Sequence, residues 1–271
     1  MYGYTKSMNR SFSTDALVLS TRLIGEDNRI VTFLSPERGI FDAILYGGRK
    51  SKLRSLVSPF HSGKGWFYND ETRHSMKITD FDPVSFRPSL RENLYKTCAA
   101  SFASELAVKT QGTSDADENQ RLWILINGFL DGLDMSSDED AHLGTLRFIW
   151  RYLSFLGMQP DASECSVCGH SFLDADTVLL PKTADSMLEY YDEAGKCFLC
   201  HECAAGQAGL LPITQEGMHY LASLQTLTPS EVRKLPVHAD TYQKLHDLLF
   251  SLVVSETGIH FRTLAAGEGI L

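Results

Sequence analysis

Two cysteine pairs constrain this chain more than any other feature. Cys165-x-x-Cys168 is followed by Cys197-x-x-Cys200-x-x-Cys203, so five of the six cysteines fall in one short window. Two sulfurs separated by two residues on a tight turn grip one side of a tetrahedral ion, and a second such turn closes the other side. Four thiolates fill the coordination sphere of zinc and leave no position for water, so the expected role is structural. The stretch between the pairs exceeds the roughly 15–20 residues usual for two such turns. Its apolar and aromatic residues, among them Val178, Leu179, Leu180, Tyr190 and Tyr191, suit a small ribbon projecting from the knuckles. Cys200 belongs to both candidate second pairs, Cys197 with Cys200 and Cys200 with Cys203, and the spacing alone leaves both open. A thioredoxin-like reading lacks the strand, motif and helix order it needs. His170 and His201 read as solvated neighbours of the ligands.

A chain of 271 residues has room for one large or two to three small domains, each with its own core. It contains no apolar run of the ~18 residues that would span a bilayer. The N-terminus, MYGYTKSMNRSF, lacks the apolar stretch of a secretory signal. A cytoplasmic location with reduced thiols is expected, and Cys98 then reads as a small core residue. The seven residues before Met8 read as an extension or an upstream start. Net charge is -9, which as an average would disfavour nucleic acid. The average hides an asymmetry. Residues 1–110 carry 16 Lys and Arg against 11 Asp and Glu, a surplus of +5, while the remainder carries 9 against 23, or -14. A polyanion partner is expected at the N-terminal end only.

From Phe12 to Phe81 short apolar runs alternate with turn residues. Runs at 16–19, 30–34, 40–46, 66–68 and 76–78 have strand length, separated by segments such as Gly25-Glu26-Asp27-Asn28 and Ser35-Pro36-Glu37-Arg38-Gly39. About five strands at this spacing predict a small closed barrel, with an OB-fold the leading candidate and an SH3-like barrel the other. After Pro83 and Pro88 the period becomes helical. Leu90, Leu94, Cys98, Phe102 and Leu106 form one stripe, Leu122, Ile126, Phe129 and Leu133 a second, and Leu143, Leu146, Trp150 and Leu153 a third. Two more helices follow the cysteines, one over Thr214 to Leu227 and one marked by Tyr242, Leu245, Leu249 and Leu252 that stops at Gly258. The class expected is α+β: a barrel over 1–82, an all-helical domain over 83–163 and 206–271, and a four-cysteine zinc finger inserted over 164–205. Trp123, Trp150 and the run Trp66-Phe67-Tyr68 are assigned to buried positions.

The segment Gly47-Gly48-Arg49-Lys50-Ser51-Lys52-Leu53-Arg54 leaves a predicted strand with four cations: Arg49, Lys50, Lys52 and Arg54. Such a loop can lay side chains along a phosphate track, each neutralised phosphate releasing counterions. Enzyme motifs fail. Gly63-Lys64 lacks the rest of a phosphate loop. His201-Glu202 stands in the wrong order for a zinc deaminase, and no nucleophile elbow, zincin or dinucleotide fingerprint is present. No catalytic residue is expected.

These features together resemble the RecO family of recombination mediators. Gly25-Glu26-Asp27-Asn28-Arg29-Ile30-Val31, Gly39, and Gly48-Arg49-Lys50 leading to Pro59-Phe60 are similar to that family's barrel. Leu156-Gly157-Met158-Gln159-Pro160 before Cys165-x-x-Cys168-Gly169, and Cys200-x-x-Cys203-Ala204, resemble the segments bracketing its zinc finger. The resemblance favours Cys165, Cys168, Cys200 and Cys203 as the zinc ligands, since Cys197 has no counterpart in the family. It implies a non-enzymatic DNA-binding protein of DNA repair and recombination that acts on single- and double-stranded DNA in the cytoplasm, associated with the nucleoid. Such a protein anneals complementary strands and, with a RecR partner, promotes RecA loading onto DNA coated by single-strand binding protein. It also implies a site for the acidic, apolar-ended tail of single-strand binding protein, for which Arg147 and Arg151, one helical turn apart, are the candidates. Two rivals stand beside it: an OB-barrel RNA-binding or RNA-modifying protein with a structural zinc, and a purely structural adaptor.

Overall fold

The computed structural model describes residues 10–47, 51–70, 74–112, 115–172 and 188–271. The chain forms two compact units, one of Met1–Ala141 with His260–Leu271 and one of His142–Ile259. The segment before Met8 lies outside the described residues, as do residues 173–187 between the two cysteine pairs, with Val178, Leu179 and Leu180 among them.

The first unit opens with β1 (Ser11–Ile24), β2 (Asn28–Ser35), β3 (Gly39–Leu45), the short α1 (Leu53–Leu56), β4 (Ser62–Asp70) and β5 (Ser75–Ser85). The strands close into a barrel in the order β1-β2-β3-β5-β4, as the OB-like reading expects. β1 is long because it serves two neighbours: Ser11 to Leu17 pair with β4, and Leu17 to Ile24 pair with β2. Alternation fills the barrel, with Ala16, Val18, Val31, Phe33, Ala43, Leu45, Phe67 and Ile78 all buried inside. Val57, just after α1, belongs to that core, and Leu53 and Leu56 of α1 pack against it. Trp66 departs from expectation. Its neighbour Phe67 takes the inward place, so Trp66 faces outward with 39% of its surface exposed.

Four helices complete this unit: α2 (Ser89–Glu92), α3 (Leu94–Thr110), α4 (Ala116–Met135) and, near the C-terminus, α10 (Arg262–Ala266). The stripe expected to run unbroken from Leu90 is divided. Asn93 is extended and caps α3, its side chain accepting from Lys96 N. Leu94 is consequently 66% exposed and Cys98 only half-buried, so neither belongs to the core. The buried face of α3 keeps Phe102 and Leu106 from that stripe and adds Ala99, Ala103 and Ala107. Alanines on this face let the helix approach its neighbours closely, which a search for large apolar residues overlooks. Buried Lys96 donates to Ser89 Oγ (2.8 Å) and Ser136 O (2.7 Å), placing its ammonium at the carbonyl end of α4 where the helix dipole favours a cation.

Arg87 joins barrel and helices. It is 3% exposed, and its guanidinium donates to Phe60 O (2.6 Å), Asp131 Oδ1 (2.7 Å) and Asn127 Oδ1 (2.9 Å). Beside it, His61 Nδ1 meets Leu56 O at 2.7 Å and Nε2 meets Arg91 Nη2 at 2.6 Å. A carbonyl only accepts, so the proton sits on Nδ1 and Nε2 accepts from Arg91. On the opposite side the β2–β3 turn meets the helices at Gly39. Its φ is +66°, and a Cβ there would come within 2.4 Å of Asn119 Oδ1 and Gln111 Nε2, so both conformation and space demand glycine.

The second unit contains the C-terminal part of α5 (Asp138–Phe155), then β6 (Leu188–Asp192), β7 (Cys197–Leu199), α6 (His201–Ala204), β8 (Leu211–Thr214), α7 (Gln215–Thr226), α8 (Pro229–Val232) and α9 (Ala239–Thr257). The ribbon expected near the cysteines is a three-stranded sheet in the order β7-β6-β8. Its third strand, β8, comes from beyond the second knuckle, so the sheet ties the cysteine module to α7. Thr214 ends β8 and caps α7, its hydroxyl accepting from Gly217 N at 3.0 Å. The core of this unit joins Ile149, Trp150 and Leu153 of α5, Met218 and Leu221 of α7, and Leu245, Leu249 and Leu252 of α9. No helix among the described residues is long and apolar enough to cross a membrane.

The His61 contacts predict how stability responds to pH. Burial, and after it Arg91 and Arg87, hold the His61 pKa below 6.5, against the opposing bond to Leu56 O. The unfolded chain therefore takes up this proton first. His61 contributes stability that is complete above pH 6.5 and is lost as pH falls through the folded pKa. Glu37 and Glu105, whose pKa values are also depressed, lose their contributions only below 4.5. Urea unfolding between pH 7.5 and 5 should show stability falling with acid in the native protein and a shallower fall in His61→Gln. Equal slopes would sink the assignment.

Candidate metal centre and nucleic-acid interface

Cys165, Cys168, Cys200 and Cys203 converge, their sulfurs all within 4.8 Å of one another. The first knuckle is set by a turn: Gly169 N donates to Cys165 O (2.9 Å), with Gly169 at φ +71°. Ser166 N donates to Phe198 O (3.1 Å), which fastens this turn to β7. The second knuckle follows from β7 running into α6, with Cys200 at the N-cap and Cys203 in the helix. Buried Glu189, on β6, accepts from His201 N at 2.9 Å and fixes the start of that turn.

The donor set fits zinc. Tetrahedral Zn–S bonds of about 2.3 Å place sulfurs about 3.8 Å apart, and Cys168 and Cys200 lie at 3.6 Å. Cys165 is prepared for thiolate chemistry. Burial would raise its pKa, but the amides of Cys200, Cys168 and Val167 outweigh it and bring it down to about 6. Cys203 moves the other way, pushed up to about 12 by the neighbouring thiols of Cys200 and Cys168. Four crowded sulfurs resist sharing so much negative charge, and a divalent cation among them would remove the conflict. Cys197 stands apart from the four. It lies on β7 opposite Asp192, near Gly195.

Of the four cations read from the basic loop, Arg49 and Lys50 lie outside the described residues. Lys52 is exposed at the N-cap of α1, and Arg54 is partly exposed within it. Sequence reasoning missed Arg29. Burial and then the charge of Arg54 lower its pKa, which places these guanidiniums near each other. Arg29, the second residue of β2, pairs with Leu45, the last residue of β3 before the basic loop. That cross-strand register, invisible in linear sequence, adds it to the basic end of the barrel.

Arg147 and Arg151 both lie on α5. Arg147 Nη1 donates to Tyr220 Oη at 3.1 Å. Burial, and then Arg147 and Arg233, lower the Arg151 pKa, while Tyr220 opposes. The two arginines read from the sequence are thus joined by Arg233 and a tyrosine, making a cationic spot in an otherwise acidic unit.

Family models for Recombination protein O match the chain in two parts, the N-terminal model over residues 8–87 and the C-terminal model over residues 91–265. A protein of Bacillus pumilus named DNA repair protein RecO is 24% identical over 252 residues, covering 92% of this chain and 91% of its own length. One of Desulforamulus reducens with the same name is 25% identical, covering 89% of this chain and 88% of its own. Another, from Myxococcus xanthus, is 33% identical over 58% of this chain and 64% of its own. With both halves matched in the order in which barrel and helices are built, the chain belongs to the Recombination protein O family, RecO.

Proposed function

We propose that this protein is a DNA-binding recombination mediator of DNA repair. The observation that carries the reading is a basic end on an OB-like barrel, at the start of a chain whose two halves match the RecO family. The barrel, residues 1–82, would hold single- or double-stranded DNA through Arg49, Lys50, Lys52 and Arg54, with Arg29 beside them. The contacts are to phosphates and so carry little sequence preference. Holding strands without reading them suits annealing, and with a RecR partner it suits promoting RecA loading on strands coated by single-strand binding protein. Such a role needs no catalytic residue and places the protein in the cytoplasm, with the nucleoid. Anisotropy of labelled oligonucleotides over a salt series tests it. Replacing Arg49, Lys50, Lys52 and Arg54 together by alanine should weaken binding strongly and flatten the salt dependence by about 3 log units per log salt on single strands. The melting temperature should not change, and unchanged affinity would refute the role of the loop.

Cys165, Cys168, Cys200 and Cys203 would hold a structural zinc within the finger, residues 164–205. The metal supplies no reactive position, because its four ligands leave none. Purified protein should contain about one zinc per chain. Chelation, or Cys165→Ser, should lower the unfolding temperature of the C-terminal part while leaving DNA affinity in place. Superimposable melting curves with and without chelator would count against the metal.

The cluster of Arg147, Arg151, Arg233 and Tyr220 would receive the acidic, apolar-ended tail of single-strand binding protein. Cations supply the charge complement, and the tyrosine ring offers an apolar surface. A labelled acidic peptide ending in phenylalanine should bind the native chain and lose about tenfold or more in affinity to the double variant Arg147→Ala, Arg151→Ala. Equal binding would move the tail site elsewhere.

A further inference from the structure

We propose that Trp66 and Tyr68, beside Lys77, form a stacking platform for unpaired bases, so that the barrel distinguishes a single nucleic-acid strand from a duplex. This rests on the reading that the barrel binds DNA and adds to it a contact that only unpaired bases can make. On β4 the inward positions go to Gly65 and Phe67, while Trp66 and Tyr68 share the outer face. A tryptophan at the middle of a barrel strand with 39% of its surface exposed is not there for the core. Its flanks leave it open. Across one strand boundary stands exposed Ser13, too small to cover an indole, and across the other stands Asp80. The neighbouring strand β5 is deformed at this point. Pairing steps from Trp66 with Asp80 to Phe67 with Ile78, leaving Thr79 of β5 as a bulge whose hydroxyl donates to Trp66 O at 3.1 Å. Bulges of this kind bend the bulged strand and break its regular ladder, here beside Trp66.

Tyr68 continues the platform. It pairs with Lys77, whose ammonium lies 4.6 Å from the centre of the phenol ring. Lys77 has no carboxylate partner among the described residues, whereas Lys64 and Arg22 on the same outer surface are paired with Asp15 and Asp42. A cation on the Tyr68 ring, on the face that also carries Trp66, meets the two needs of a nucleotide, a charge for the phosphate and a flat surface for the base. The registers carry the face onward, from Tyr68 to Lys77, Ile44 and Ile30. Asp80 on β5 flanks Trp66 itself and disfavours phosphate at that end of the face, whereas Lys77, on the same strand, favours it beside Tyr68. The backbone of a bound strand therefore runs on the Lys77 side, toward the basic end of the barrel, while its bases turn onto Trp66 and Tyr68. In a duplex the base faces are stacked on one another and cannot reach the rings.

The test uses the full chain with a thymidine oligonucleotide and a duplex of equal length. Native protein should bind both, with tryptophan fluorescence quenched by the oligonucleotide alone. Trp66→Ala should lose the quenching and about tenfold in affinity for the single strand, with duplex affinity and melting temperature unchanged. Trp66→Phe, which keeps a ring, should lose the quenching yet retain most of the affinity. Undiminished single-strand binding by Trp66→Ala, or an equal loss on both ligands, overturns the platform and leaves DNA binding by the basic loop standing. Failure of the native protein to bind either ligand removes the barrel reading itself.

Discussion

The first unit is organised around the buried guanidinium of Arg87. A single planar group links the end of β5 to a carbonyl in the segment before β4 and to two polar side chains of α4. The backbone is bent to make this possible. Phe60 and Arg87 both adopt positive φ, at 70° and 45°, and for non-glycine residues each such conformation costs on the order of 1–2 kcal/mol. Hydrogen bonds to a charged group contribute about 1.5–3 kcal/mol each, so three of them outweigh the strain. The arrangement is asymmetric in its risk. Without the guanidinium, the Phe60 carbonyl and the Asn127 amide would lose their partner, a larger penalty than the net worth of the bonds.

Around this link, charge is kept local. His61 bridges α1 to Arg91 in its neutral form because burial and two arginines disfavour a further positive charge. Glu105 shows the reverse. Burial opposes its ionisation, but Lys109 and the amides at the start of α10 hold its pKa down to about 2. α1 carries Lys52 and Arg54 into solvent while its own apolar residues sit on the barrel core. Among the cations proposed to meet DNA, Lys52 and Arg54 thus stand on a helix packed against the barrel, which limits the entropy lost when they bind.

What could be read from the sequence was what depends on local spacing. The cysteine turns, the strand-length runs and the α7 and α9 stripes are set within a few residues, and α9 stops at Gly258 as read. What could not be read depends on partners distant in sequence. The buried face of α3 is defined by alanines whose value lies in what approaches them. The outward aim of Trp66 follows from Gly65 and Phe67 taking the inward positions of β4, a phase that the unbroken aromatic run Trp66-Phe67-Tyr68 does not reveal. Arg29 comes to the end of the barrel that carries Arg54 through the pairing of β2 with β3, and Arg233 reaches Arg151 only through the packing of the second unit. The division of one expected helix at Asn93 was present as a capping residue, but the apolar stripe running through it masked the signal.

The four-cysteine cluster has a consequence for how freely the chain can vary. The two knuckles close a loop, and the entropic cost of closure rises only with the logarithm of its length, about 0.6 kcal/mol per doubling. β7 and β6 are paired with β8, and both turns are held by backbone hydrogen bonds, so the knuckles are positioned by contacts on either side of the long segment between them. Doubling the length of that segment would therefore cost the site only a fraction of what one lost thiolate ligand would cost.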